Sequence, residues 1–165
     1  MEQGSTPQGE IQEKMSGINT QTLKIHYHSD RIDKLTYIDG KSDWIDLRAA
    51  EDVTLKSGEF AMIDLGISIS LPDGYEAIVA PRSSACKNFG IIQVNSIGII
   101  DESYGKNSTD DRWMYPVLAM RDTQIHVNDR IAQFRIIEHQ PKIVFEEIGE
   151  RKGNARGGFG SSGIK

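Results

Sequence analysis

Residues Glu59 to Leu71 read EFAMIDLGISISL, and this stretch decides the fold class. Ile63, Leu65, Ile67, Ile69 and Leu71 fall on one phase of a two-residue period, with Asp64, Gly66, Ser68 and Ser70 on the other. That is the pattern of a strand with one buried face, and no helical period fits it. The same alternation recurs on both sides, in LKIHYH (23–28), YEAIVAP (75–81), GIIQVN (90–95), IGIID (97–101), QIHV (124–127), RIAQFRII (130–137) and KIVFEEI (142–148). Turn signals punctuate these runs at Lys56-Ser57-Gly58, Pro72-Asp73-Gly74 and Asn128-Asp129, at spacings suited to an antiparallel sandwich or jelly roll. One short helix is expected after Pro81, where Ser83 and Ser84 can cap SSACKNFG (83–90) and Gly90 can end it.

The 165 residues suffice for one domain with a true core. Hydrophobic residues at 38% and charged residues at 26% are a globular balance. With Cys86 as the sole cysteine, intrachain disulfides and multi-cysteine zinc sites are excluded. A formal charge of −5 argues against a general nucleic-acid surface, so an anionic ligand needs local cations or a metal. No apolar run is long enough for a membrane helix and the N-terminus lacks the order of a secretory signal, so a soluble, cytoplasmic protein is expected. Residues 1–20, rich in Gln, Gly and Ser, read as a flexible leader; 21–148 as the β-domain; and 149–165 as a mobile Gly-rich arm.

Composition and period stop at an all-β domain, and function has to come from short polar stretches. Five stand out, DWIDLRAA (43–50), APRSSA (80–85), NSIGIIDESYG (95–105), DRIAQFRI (129–136) and RGGFGSSG (156–163). Taken singly they are weak signals, since Asp46 alone reads as a turn carboxylate, Tyr104 as a half-buried strand-end aromatic, and Gln133 and Arg130 as a solvated strand face.

In this order the five stretches resemble the motifs of the trimeric dUTPase family, over nearly the whole chain from about Leu23 to Gly163. The resemblance implies a distorted jelly-roll β-barrel with one short helix and a C-terminal arm. It further implies a Mg²⁺-dependent enzyme that hydrolyses dUTP to dUMP and pyrophosphate at sites shared within a homotrimer. Asp46 would approach the Mg²⁺ through water, as suits a hard ion that keeps part of its hydration shell. Arg82 and Ser83, with the N–H groups of Ser84 and Ala85, would meet the phosphates at the helix start. IIQVNSIGIID would form a β-hairpin receiving uracil, read by Asn95 and by backbone near Gly98 and Ile100, with Gly98 permitting close approach. Asp101 would orient and deprotonate the attacking water. Tyr104 would lie against the deoxyribose and exclude a 2′-hydroxyl. Gln133 would touch phosphate, and Arg130 would tie its strand to a neighbouring subunit or to the arm. In the arm, Phe159 would stack on uracil, and Gly160, Ser161 and Ser162 would close over the phosphates.

Two places depart from the family pattern. Tyr104 is followed at once by Gly105 and a polar insert, so Trp113 or Tyr115 enters as another candidate to cover the base, although core packing is the plainer role for both. The arm's arginine is displaced, with Asn154 at its usual place and Arg151 and Arg156 flanking it; Arg156 is taken as the phosphate contact. Two alternatives share the fold, a dCTP deaminase, which needs a glutamate near the base, and a nucleotide-responsive regulatory module whose insert meets a protein partner. A sugar-binding jelly roll is the remote third.

Overall fold

The computed structural model of the chain describes residues 20–38 and 40–157. Eleven strands are assigned among them: β1 (Lys24–Tyr27), β2 (Ile45–Arg48), β3 (Val53–Leu55), β4 (Phe60–Asp64), β5 (Ile67–Ser70), β6 (Tyr75–Pro81), β7 (Ile91–Gln93), β8 (Gly98–Ile100), β9 (Met114–Ala119), β10 (Thr123–Ile125) and β11 (Arg130–Glu138). One short helix, α1 (Ala85–Phe89), lies between β6 and β7. All pairings are antiparallel, in sheets ordered β1-β5, β10-β3, β2-β11-β6-β8 and β4-β9-β7. This is the expected all-β jelly roll.

The core is filled by the inward phase of each strand. Ile63, Leu65, Ile67, Ile69 and Leu71 are all buried, as their two-residue period requires. Around them pack Leu47, Ile91, Tyr115, Val117, Ile125, Ile131 and Phe134, with the Trp113 indole standing edge-on to the Phe134 ring at 5.1 Å between centroids.

The stretch 59–71 is nevertheless two strands and not one. Leu65-Gly66 breaks it, with Gly66 at φ +68°, and the halves join different sheets: β4 pairs with β9 and β5 with β1. The Asp64 carboxylate caps the corner by accepting the Gly66 N–H at 2.7 Å. A β-carbon at Gly66 would stand 2.8 Å from that of Ala50 and 3.0 Å from Ile32 Cδ1, so both the backbone and the packing demand glycine there.

Three further expectations are corrected, and one strand lies outside the runs read from the sequence. IIQVNSIGIID is not a hairpin, because β7 pairs with β9 and β8 with β6, so the segment crosses from one sheet to another. KIVFEEI forms no strand; it runs exposed, with Val144 and Phe145 85% and 92% accessible, and no strand among the described residues pairs with it. α1 is capped at its end by left-handed Gly90 as expected, but Ser84 makes no side-chain cap bond. β9 carries Pro116 and was not marked out as a strand, yet it pairs on both sides. Val94 N–H donates to the Pro116 carbonyl, Pro116 has no N–H to return, and β7 has ended one residue earlier, at Gln93.

Replacing Gly66 by alanine is expected to destabilise the protein by about 2–5 kcal/mol, the left-handed penalty plus overpacking against Ala50. Urea denaturation at fixed protein concentration measures it, and an unchanged midpoint would mean that the corner relaxes freely.

Candidate active site

The long strand β11 positions the first cluster. Arg130 and Gln133 lie on it, and the register places Gln133 beside Asp46 of β2 and beside Ala80 of β6. β6 ends at Pro81, so Arg82 emerges next to both. The Asp46 carboxylate accepts from Arg82 Nε at 2.7 Å through Oδ1 and from Arg130 Nη1 at 3.1 Å through Oδ2. Arg82 Nη1 reaches the Arg130 carbonyl at 3.3 Å, and Gln133 Nε2 donates to the Pro81 carbonyl at 3.1 Å. Four residues from three separated stretches thus meet at one rim. The Arg130 guanidinium pairs with Asp46 of its own chain, and so its tie within the described residues is internal.

At the helix start the Ala85 N–H donates to the Arg82 carbonyl at 2.9 Å, which spends one of the two backbone donors expected to meet phosphate. Ser83 is exposed and Ser84 half-buried beside it.

The second cluster follows β7. Ser96 takes a left-handed φ of 59°, and Asn95 projects at the surface, its Oδ1 accepting from Gln93 Nε2 at 2.9 Å. Gln93 Nε2 also donates to the Val79 carbonyl at 3.2 Å. Gly98 and Ile100 lie on β8, which stands at the end of its sheet with β6 as partner and so keeps one backbone edge open. Gly98 is tightly packed, because a β-carbon there would stand 3.2 Å from Val79 Cβ.

Asp101 follows β8 and is exposed. The loop beyond it is firmly held. Tyr104 N–H closes a turn on the Asp101 carbonyl at 3.0 Å, and the Tyr104 hydroxyl donates to the Arg112 carbonyl at 3.1 Å. Arg112 is in turn fixed to Asp64 at 2.5 Å. Glu102 accepts the Gly74 N–H at 2.6 Å and pairs with Lys106, which also reaches Asp73 at 2.6 Å. The Lys106 ammonium, then the Gly74 N–H, hold the Glu102 carboxyl below its ordinary value, while Asp73 and then Glu102 hold Lys106 above its own. The loop that carries Asp101 and Tyr104 is therefore built together with the polar insert that follows it. Nothing in the two-residue period signals Arg112, Glu102 or Lys106; their only mark in the sequence is charge inside an insert.

Trp113 and Tyr115 cannot cover a base, as both are wholly buried, and burial pushes the Tyr115 phenol well above its ordinary range. Arg151 and Arg156 lie in the exposed segment after β11. Phe159, Gly160, Ser161 and Ser162, like residues 1–19, lie outside the described residues.

Among the described residues no three His, Cys, Asp or Glu side chains gather as a metal cage. No described helix is long and apolar enough to cross a membrane.

The all-β jelly roll thus brings a carboxylate-bridged pair of arginines to one rim, and an open strand edge followed by a held Asp-x-x-Tyr loop to another. The dUTPase family profile matches residues 40–163, and the chain belongs to that family. It is 49% identical over 144 residues to the SPbeta prophage-derived deoxyuridine 5'-triphosphate nucleotidohydrolase of Bacillus subtilis, covering 87% of this chain and 99% of that one. The dUTPase of Staphylococcus bacteriophage 80alpha with dUPNHPP shares the fold at a TM-score of 0.72 and 20% identity, over 88% of this chain and 100% of that one. A mutant dUTPase of phage phi11 of S. aureus, described for its coordination of a structural Mg(II) ion, does so at a TM-score of 0.67 and 17% identity, over 81% and 100%.

Asp46→Ala removes the one carboxylate between two guanidinium groups. With Asp46 13% accessible and Arg130 44%, the pair is only partly shielded, and a loss of roughly 1–3 kcal/mol in chemical denaturation is expected. No loss would mean the two arginines simply swing into solvent.

Proposed function

We propose that this protein hydrolyses dUTP to dUMP and pyrophosphate, in the cytoplasm, with Mg²⁺ and at sites completed between the copies of a homotrimer. The observation that carries this reading is where the two clusters stand. Asp46 on β2 and Asp101 after β8 lie at opposite edges of a four-stranded sheet, three strand spacings or about 14 Å apart. Along the strands they diverge further. Ile100 is level with Ala77, so Asp101 is level with Glu76, six residues or roughly 20 Å from Arg82. A general base has to lie within hydrogen-bond reach of its water. Asp101 and the Arg82 cluster of one chain therefore cannot serve one phosphorus atom, whereas Asp101 of one copy facing Arg82 of another can.

The surface supports such an assembly. Phe60, Met62 and Ile92 are exposed on the outer side of the β4-β9-β7 sheet, and Val94, Ile97 and Ile99 are exposed along the segment that leads from β7 into β8. The unpaired apolar segment with Ile143, Val144, Phe145 and Ile148 is a strand signal without a strand partner, as expected of an arm that packs on a neighbour.

In the reaction, Arg82, Ser83, Ser84 and Gln133 bind and orient the phosphates, Tyr104 lies against the deoxyribose, and Asn95 with the open edge at Gly98 and Ile100 reads the base. Asp101 accepts the proton of the water that attacks the α-phosphorus in line with the departing pyrophosphate. Asp46 fits an outer-sphere role toward Mg²⁺: the two guanidinium groups occupy one lone-pair site on each oxygen, which leaves acceptors for the ion's hydration water. When bound, Mg²⁺ would supply positive charge to the phosphate oxygens and the leaving group. Phe159, Gly160, Ser161, Ser162 and Arg156 form the arm that closes the site and excludes water.

Pyrophosphate release from dUTP, UTP, dTTP and dCTP, with Mg²⁺ and with chelator, tests this directly. Selective, Mg²⁺-dependent turnover of dUTP is expected, and Asp101→Asn should lower kcat by at least about a thousandfold with binding largely kept. Ammonia released from dCTP would instead indicate the deaminase.

Light scattering should give three times the chain mass. Removing residues 157–165 should leave that mass and the melting temperature nearly unchanged while turnover falls sharply. An active monomer would defeat the shared site.

A further inference from the structure

Gln93 is more than nine-tenths buried, at 7% accessible, where every other buried residue of its strand sheet is apolar. Its Oε1 is shielded from solvent and has no hydrogen-bond partner. Leaving a buried acceptor unmade costs roughly 1–3 kcal/mol, so an apolar side chain of this size would be the better choice for stability alone. What the glutamine provides must lie at its other end.

That end has a fixed polarity. A backbone carbonyl can only accept, so the atom 3.2 Å from the Val79 carbonyl must be the Gln93 NH₂ group. The same NH₂ group stands 2.9 Å from the Asn95 amide, which must therefore turn its own acceptor, Oδ1, toward Gln93. With Oδ1 held inward, Asn95 presents Nδ2, a donor only, to the outside. Gly98 makes room for this, since a β-carbon there would press to 3.4 Å from Gln93 Nε2.

We propose that Gln93 is a specificity-positioning residue: by holding the Asn95 amide in one orientation, it makes the site accept a pyrimidine with a carbonyl oxygen at position 4 and reject one with an amino group there. Uracil carries that oxygen and cytosine carries the amino group in its place. An outward Nδ2 donates to the first and confronts a second donor on the other. A free Asn95 could rotate its amide and serve both. The proposal rests on the reading that Asn95 faces the base.

The test is binding of the non-hydrolysable α,β-imido analogues of dUTP and dCTP, with Mg²⁺, to the full-length protein and to Gln93→Leu, Gln93→Met and Asn95→Ala. Both Gln93 variants are expected to melt at or above the temperature of the unaltered protein. The ratio of the two Kd values should fall about tenfold or more in each, chiefly through weaker binding of the dUTP analogue. Should the leucine variant not fold, the methionine variant gives the same comparison. An unchanged ratio in the Gln93 variants, with a lowered one in Asn95→Ala, would overturn the role of Gln93 and leave Asn95 as reader. An unchanged ratio in Asn95→Ala would overturn the proposal at its base. If the unaltered protein bound neither analogue, the nucleotide reading itself would fall.

Discussion

The Asp46 carboxylate between Arg82 and Arg130 is the interaction on which the rest of the site depends. Two guanidinium groups cannot be held side by side without a counter-charge, and here one carboxylate serves both while the cluster keeps a net charge of about +1, from two cations and one anion. In a chain with a net charge of −5 this is the local field an anionic substrate would meet. It is available only because β11 pairs with β2 on one side and β6 on the other, bringing positions 46, 82 and 130 to one rim. On the proposed reading, a polyphosphate arriving there finds donors already held in place by Asp46.

The same sheet that builds the Arg82 cluster carries the Asp101 loop away from it. Strand order and register are rigid constraints, so no side-chain movement brings Asp101 to the Arg82 rim of its own chain. On the proposed reading, function on this frame is a matter of assembly. The features that look unfinished in the isolated chain, an apolar outer sheet face, an open β8 edge and an exposed Ile143–Ile148 segment, are what an assembly would cover. They have one physical origin, since each is strand-forming or apolar surface with no partner among the described residues.

Much of this was legible in the sequence, for identifiable reasons. The inward phase of 59–71, the Gly90 helix stop and the YEAIVAP strand follow from local chemistry alone, and they stand as read. What failed was everything that depends on which element pairs with which. A two-residue period shows that 91–93 and 98–100 are extended but not that they join different sheets. KIVFEEI has strand chemistry and no partner. Met114–Ala119 has partners on both sides, yet it is not among the runs read as strands. Of the site, Asp46, Arg82 and Gln133 were marked by motif and do converge, whereas Gln93 was read as one alternating strand residue among many. Its signal, a polar residue on the buried phase of a strand between Ile91 and Gly98, was present but meaningless until Val79 and Asn95 were placed beside it.

An unmet polar atom is not by itself a sign of function, and this protein supplies the control. Trp113 Nε1 and Tyr115 OH are as buried and as unpartnered as Gln93 Oε1. Those two side chains, however, bring large rings into the core, and burying an aromatic of that size stabilises the fold by more than the one lost hydrogen bond costs. Tyr115 adds that its phenol stays protonated and neutral in that setting, so no charge is stranded. Gln93 has no comparable apolar surface to offset its acceptor. Its retention has to be explained by its two donated bonds, and both run toward the β6 and β8 side, where the open strand edge lies. The distinction between a tolerated polar handle and a working one thus comes from comparing what each side chain gains, and in this core it separates one glutamine from two aromatics.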